Sequence, residues 1–164
     1  MSYTVGIIPA RMGSSRFPGK PLADICGIAM IEHVYRRSAM AKSLDDVYIA
    51  TCDAEIEDYC KCHGMGVIMT SPLHERASDR AAEAMEKIES AGKRTVDVVA
   101  MIQGDEPLVY PDMIDLAIDA LAADSAAEVV NLMASIATRE EHEDPNEVKV
   151  VVDLNDYALY FSRE

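Results

Sequence analysis

A chain of 164 residues with 49% hydrophobic content and a mean hydropathy of −0.01 is long enough to bury one core and too apolar to stay disordered. Its 29 acidic against 15 basic side chains give a formal net charge of −14, which excludes nonspecific nucleic-acid binding through a spread cationic surface. Trp is absent and aromatic residues make up 5%, so stacking platforms for single strands are excluded too.

The start MSYTVGIIPA has no cationic leader and enters an apolar run at once. No stretch approaches the length of a membrane span. A cytoplasmic protein without signal peptide or membrane contact is expected. Thr4 to Ile8 reads as a strand buried on both faces. At Pro9 it gives way to a turn-rich loop with Gly13, Ser14, Ser15, Pro18 and Gly19. Arg11, Arg16 and Lys20 fall in that loop, and the first acidic residue is Asp24. Three cations held close together repel one another, so an anion should offset them. Polyphosphate suits the chemistry, because glycine lets backbone N–H groups approach and Arg and Lys neutralise the oxygens. A solvated basic turn has the same composition. Two familiar phosphate loops are excluded. Five residues, not four, separate Gly13 from Gly19, and Pro21 follows Lys20 where a P-loop has Ser or Thr. The dinucleotide pattern G-x-G-x-x-G is missing from the loop.

A turn over Asp24 to Gly27 leads into a helix with Met30, Ile31, Val34 and Tyr35 on its apolar face and Glu32, Arg36 and Arg37 toward water. His33 on that helix is assigned no role. Val47 to Ala50 is a second buried strand, and Asp53 caps a helix through Ala54, Ile56 and Tyr59 that ends at Gly64. Val67 to Met69 is a third strand. Cys26, Cys52, Cys60 and Cys62 form no C-x-x-C pair and read as reduced thiols, and Cys60-Lys61-Cys62-His63 offers too few spaced ligands for a metal. Strands alternating with helices over short links imply parallel strands and right-handed crossovers, an α/β, Rossmann-like architecture.

The polar stretch Thr70 to Arg80 ends in a helix start, with Ser78 as N-cap and Asp79 in the first turn, and the helix runs through Ala82, Met85 and Ile88 to Gly92. Val96 to Ile102 is a fourth strand. Gln103-Gly104-Asp105-Glu106-Pro107-Leu108 stands at its carboxyl end, where open α/β sheets bind ligands. Asp105 is a hard oxygen ligand suited to Mg²⁺, and Gln103 offers both a donor and an acceptor to a pyrimidine edge. The same run could be an acidic turn before the helix that starts at Pro111-Asp112 and carries Met113, Ile114, Ala117, Ile118 and Leu121 on one face. After an acidic, alanine-rich link, Val129 to Ile136 reads as a strand, Glu140 to Asp144 as a solvated loop or frayed helix, Asn146 to Asp153 as a strand, and Tyr157 to Arg163 as a last one after a turn at Asn155-Asp156. No G-x-S-x-G elbow occurs, and the four histidines lack metal-ligand spacing.

Several of these runs together resemble one family. Pro9-Ala10-Arg11 with Ser14, Arg16 and Pro18-Gly19-Lys20-Pro21-Leu22 resembles the signature loop of the CMP-sugar synthetases. His74 with Ser78-Asp79-Arg80 resembles their second loop, although Ala77 and Ser78 stand where Gly and Thr are usual. Gln103-Gly104-Asp105-Glu106-Pro107, the Asn146 to Val151 run and Tyr157 to Arg163 are most similar to the branch that acts on 3-deoxy-manno-octulosonate (Kdo). The resemblance implies a nucleotide-diphospho-sugar transferase fold: one domain over 1–164, with a mainly parallel (mixed) sheet and helices on both faces. It implies transfer of CMP from CTP to a Kdo-like acidic sugar with release of pyrophosphate. Arg11, Lys20 and Asp105 would be catalytic. Arg11 and Lys20 would hold the triphosphate with Ser14 and Arg16 in support. Gln103, Arg80 and the backbone at Ala10 would face base or ribose, and Asp105 would hold Mg²⁺. The family continues past Tyr-Phe-Ser-Arg with much of the sugar site, a dimer surface and a further metal-binding Asp. The 164 residues are therefore expected to correspond to the nucleotide-binding half, with a homodimer expected only of a full-length form. The alternatives are a nucleotidyltransferase for another acidic sugar or for UTP, and a nucleotide-binding or assembly module without catalysis.

Overall fold

A computed structural model describes residues 2–13, 17–92 and 94–164. They fall into two units divided between Val130 and Asn131. In chain order the first holds β1 (Thr4–Pro9), a 3₁₀ turn (Lys20–Leu22), β2 (Asp24–Ile25), β3 (Ile28–Ala29), α1 (Met30–Ser38), β4 (Asp46–Thr51), α2 (Ala54–Cys62), β5 (Val67–Met69), α3 (Ala77–Gly92), β6 (Val98–Met101) and α4 (Pro111–Ala123). The second holds α5 (Arg139–Glu143), β7 (Lys149–Val152) and β8 (Ala158–Ser162).

β1 is short, apolar and β-branched, and it lies at the heart of a parallel sheet ordered β5-β4-β1-β6. Ile8 stands opposite Ile49 of β4, and Ile7 opposite Met101 of β6. Side chains alternate between the faces of the sheet. Ile8, Val47 and Ile49 join Ile31 and Val34 of α1, Ile56 and Cys60 of α2 and Ile114 of α4 in one buried cluster. Val5, Ile7 and Ala50 join Ala81, Ala84 and Ile88 of α3 in the other. Helices thus cover both faces of the sheet, as a fully buried parallel sheet requires. The chain builds outward from β1 through β4 to β5 and then returns to place β6 on β1's other side. The order reverses at β1, and the loops after β1 and β6 flank that switch point.

β2 and β3 form a small antiparallel hairpin closed by Cys26 and Gly27, with φ of 54° and 86°. Positive φ at both central residues is the geometry of a type I′ turn. In the second unit a capping box between Thr138 and Glu141 starts α5, and β7 pairs antiparallel with β8, Lys149 opposite Ser162. The Asp153 carboxylate closes that hairpin by accepting from the N–H groups of Asn155 and Tyr157.

Some sequence expectations are corrected. Val129 to Ile136 has the composition of a strand but pairs with none, and Val129, Leu132, Met133 and Ile136 are exposed. Ser78 lies inside α3, whose first residue is Ala77. Glu32 is buried. It accepts from the Tyr59 hydroxyl at 2.5 Å and pairs with Arg36. Burial pushes its carboxyl up, but the bonds from Tyr59 and Arg36 outweigh that and leave it below the usual range. All four cysteines are free thiols, and burial pushes Cys60 up to about 11. Among the described residues no helix is long and apolar enough to cross a membrane.

Candidate active site

The loop after β1 begins as a continuation of the sheet. Ala10 N–H donates to Ala50 O at 2.9 Å, so its amide is engaged and a ligand would meet its carbonyl or methyl. Arg11 is exposed just beyond. Met12 N–H donates to Asp53 Oδ2 at 2.8 Å, and Gly19 N–H returns to Met12 O at 3.1 Å. Gly19 takes φ of 74°, which favours a residue without Cβ, and Lys20 opens the 3₁₀ turn directly after it. Ser14 and Arg16 lie outside the described residues.

The loop after β6 faces this one. Ile102 N–H donates to Ile7 O at 2.9 Å, which carries the ladder one residue past β6. Gly104 then packs so close to the end of β1 that a Cβ there would stand 2.7 Å from Pro9 O. That approach delivers Asp105 to Lys20. The Nζ–Oδ2 distance is 2.8 Å, with the two side chains 36% and 52% exposed. Gln103 is exposed beside them. The far end of the loop is fastened to α1, where Arg37 Nε donates to Val109 O at 2.6 Å and its guanidinium lies 5.2 Å from the Tyr110 ring centroid.

Arg80 is placed differently from a surface cation. It is 3% exposed and donates to Thr70 Oγ1, which in turn donates to Thr51 O at 3.1 Å. The guanidinium is thereby held beneath the carboxyl ends of β4 and β5. The loop leading to α3 is tied down by Glu83, which accepts from Ser71 N–H at 2.8 Å, from His74 Nε2 and from Lys87 Nζ at 2.7 Å. The Lys87 ammonium, the Ser71 amide and His74 together pull the Glu83 carboxyl down to about 2.

The structure thus brings Lys20 and Asp105 into contact, leaves Arg11 and Gln103 open to solvent nearby, and buries Arg80. Asp53 is a residue that sequence reading treated only as a helix cap. It occupies that position at α2 but makes no side-chain capping bond, and its carboxylate goes to the loop instead. An acidic residue at the carboxyl end of a strand beside a cationic loop was the available signal. Among the described residues no group of three or more His, Cys, Asp or Glu is placed to hold a metal ion. An exposed carboxylate such as Asp105 still has the chemistry for Mg²⁺, which commonly takes one or two carboxylates and completes its shell with phosphates and water.

Residues 5–164 match the sequence family described as Cytidylyltransferase. A 3-deoxy-manno-octulosonate cytidylyltransferase of Geobacter sulfurreducens is 46% identical over 157 residues, 96% of this chain and 60% of that protein. Its counterpart in Aliivibrio fischeri is 48% identical over 163 residues, 99% of this chain and 63% of that protein. The solved structure of a CMP:2-keto-3-deoxy-manno-octonic acid synthetase complexed with CTP superposes with a TM-score of 0.91 at 41% identity, covering 99% of this chain and 64% of that one. The chain spans 60% to 63% of the length of these two curated relatives.

Proposed function

The chain belongs to the cytidylyltransferase family, and from that premise we propose that the protein transfers CMP from CTP to a Kdo-like acidic sugar and releases pyrophosphate. The observation that carries this reading is the Lys20–Asp105 ion pair across the switch point of the sheet. A cation and a hard carboxylate meeting there are the two charges that a metal-bound triphosphate needs. The phosphates would draw Lys20 away, leaving Asp105 free for the metal. The printed names of the relatives and the CTP bound by the structural neighbour support the choice of nucleotide and sugar.

In the reaction a sugar hydroxyl attacks the α-phosphorus of CTP. A new O–P bond forms, the bond from the α-phosphorus to the bridging oxygen breaks, pyrophosphate leaves in line carrying that oxygen, and the hydroxyl proton passes to water. The protein's part is positioning and charge stabilisation. Arg11 and Lys20 engage the triphosphate, and Lys20 follows negative charge as it builds on the leaving group. Ser14 and Arg16 lend support from the same loop. Gln103, Arg80 and the Ala10 backbone serve the base or ribose, with Arg80 acting from its buried position. Asp105 would hold Mg²⁺, which supplies neutralisation of the phosphate charge. The same reading takes the full-length protein as a cytoplasmic homodimer, checked by cell fractionation and by sedimentation of the purified protein.

The test is pyrophosphate release from the full-length protein on adding CTP, Mg²⁺ and Kdo. Release that requires all three is the expected result. CTP binding with no release would sink the transfer reading and leave a nucleotide-binding module. Asp105→Asn should move the Mg²⁺ titration to about tenfold higher concentration, and an unchanged titration would remove Asp105 from the metal.

A further inference from the structure

The cationic loop has a neck, and the neck is Met12. Gly19 N–H closes the loop onto Met12 O at 3.1 Å, the Met12 side chain packs against the core, and Met12 N–H donates to Asp53 Oδ2 at 2.8 Å. Arg11 immediately precedes this neck, and Lys20 follows the residue that closes it. Met12 therefore joins the backbone positions from which the two cations extend.

Asp53 is itself well held. Its N–H donates to the hydroxyl of Thr51 at 3.1 Å, and Thr51 is fully buried. A carboxylate at the N-cap position ordinarily turns to the first free N–H groups of its own helix. Here that interaction is not made, and the oxygen reaches a residue 41 positions away in sequence. The direction of the side chain runs against its local preference, which is the mark of a tertiary role.

We propose that Asp53 is a positioning residue for nucleotide binding: its carboxylate fixes Met12 and so holds Arg11 and Lys20 at the spacing a triphosphate meets. This rests on the CTP-binding reading above. Asp53 touches no reacting atom and acts only through the loop.

The experiment compares the full-length parent with Asp53→Ala and Asp53→Asn, since Asn keeps an acceptor oxygen and Ala does not. CTP affinity is measured by calorimetry, and amide exchange is followed at Met12 and Gly19 and, as control, within α2. Asp53→Ala should weaken CTP about five- to tenfold and speed exchange at Met12 and Gly19 about tenfold, with α2 unchanged, the scale of one lost hydrogen bond. Asp53→Asn should bring both within about twofold of the parent, a rescue that loss of a mere helix cap would not follow. Parent-like CTP affinity in Asp53→Ala would overturn the proposal, as would faster exchange confined to α2. A parent that binds no CTP would sink the nucleotide reading by itself, and unchanged Met12 exchange in Asp53→Ala would separately sink the anchor.

Discussion

Lys20 and Asp105 are 85 positions apart in sequence and 2.8 Å apart in space. With 36% and 52% of these side chains exposed, water screens the pair, and such pairs contribute about 0–1 kcal/mol to folding. The pair therefore does little for stability, and under the proposed function its worth lies in the phosphate and metal that would replace it. Lys20→Ala should lower kcat roughly 10²- to 10³-fold, the cost of removing one preorganised charge from a transition state, while the melting temperature stays within about 2 °C. Steady-state turnover and a thermal melt on the same preparation check both halves. Residue type at the strand ends marked both loops but left a solvated basic turn and an acidic turn open, and the resemblance of the two loops to the CMP-sugar synthetases is what singled out this pair. Glu32 and Arg80 were not legible in the same way. Glu32 four residues before Arg36 has the spacing of an ordinary solvated helix pair. What buries it is the Tyr59 hydroxyl from α2, a tertiary contact with no local trace. Arg80 likewise has its place set by Thr70 and Thr51, which approach only when β5 pairs with β4.

At the scale of elements, the four strands of the parallel sheet and the four helices of the first unit followed from apolar periodicity, because each must bury a face and the period reveals which, whereas the β2–β3 hairpin read only as a turn. Val129 to Ile136 shows the limit of that reasoning: its apolar content suits a strand, but a strand exists only by pairing, and none of these residues lies in one. Two predictions belong here. Gly104 matters through space, since a Cβ would stand 2.7 Å from Pro9 O, a backbone atom that cannot swing aside. Gly104→Ala should cost about 1–3 kcal/mol in denaturant unfolding and, by pushing Asp105 from Lys20, should reduce CTP turnover by more than the stability loss explains. The second concerns Glu83, which ties the β5–α3 loop to α3 and whose carboxyl is lowered from 4.5 to about 2, foremost by Lys87. A carboxylate with a depressed folded pKa stabilises in full above its unfolded value and loses that contribution as pH falls through the folded one. The window here is from 4.5 down to about 2. Glu83→Gln should therefore be less stable than the parent by about 1–2 kcal/mol at neutral pH, and the gap should close as pH falls through that window. Paired chemical-denaturation curves across the acid range check it. A gap that stayed constant with pH would show that the ionised form is not what ties the loop.

At the scale of the whole molecule, the buried side chains are unevenly shared. Every described residue classed as buried, from Tyr3 to Ile114, lies in the first unit, and none lies between 131 and 164. Burial of apolar surface is the main favourable term in folding, at roughly 25 cal/mol per Å². A two-stranded hairpin such as β7–β8 is marginal when isolated, whereas a four-stranded parallel sheet covered on both faces is not. The cooperative transition should therefore belong to the first unit. So should the proposed triphosphate contacts of Arg11 and Lys20, since both precede the division at Val130, as do Asp105, proposed for the metal, and Asp53, which acts through the loop. A fragment of residues 1–130 should fold alone, melt cooperatively within about 5 °C of the 164-residue chain, and bind CTP within about threefold of it. Circular dichroism melts and calorimetric titration of both proteins measure this directly. A fragment that melts without cooperativity would mean that residues beyond 130 complete the core. A fragment that folds but loses CTP would mean that the charges at the switch point do not suffice to hold the nucleotide, and the weight placed on Lys20 and Asp105 would have to move to the later part of the chain.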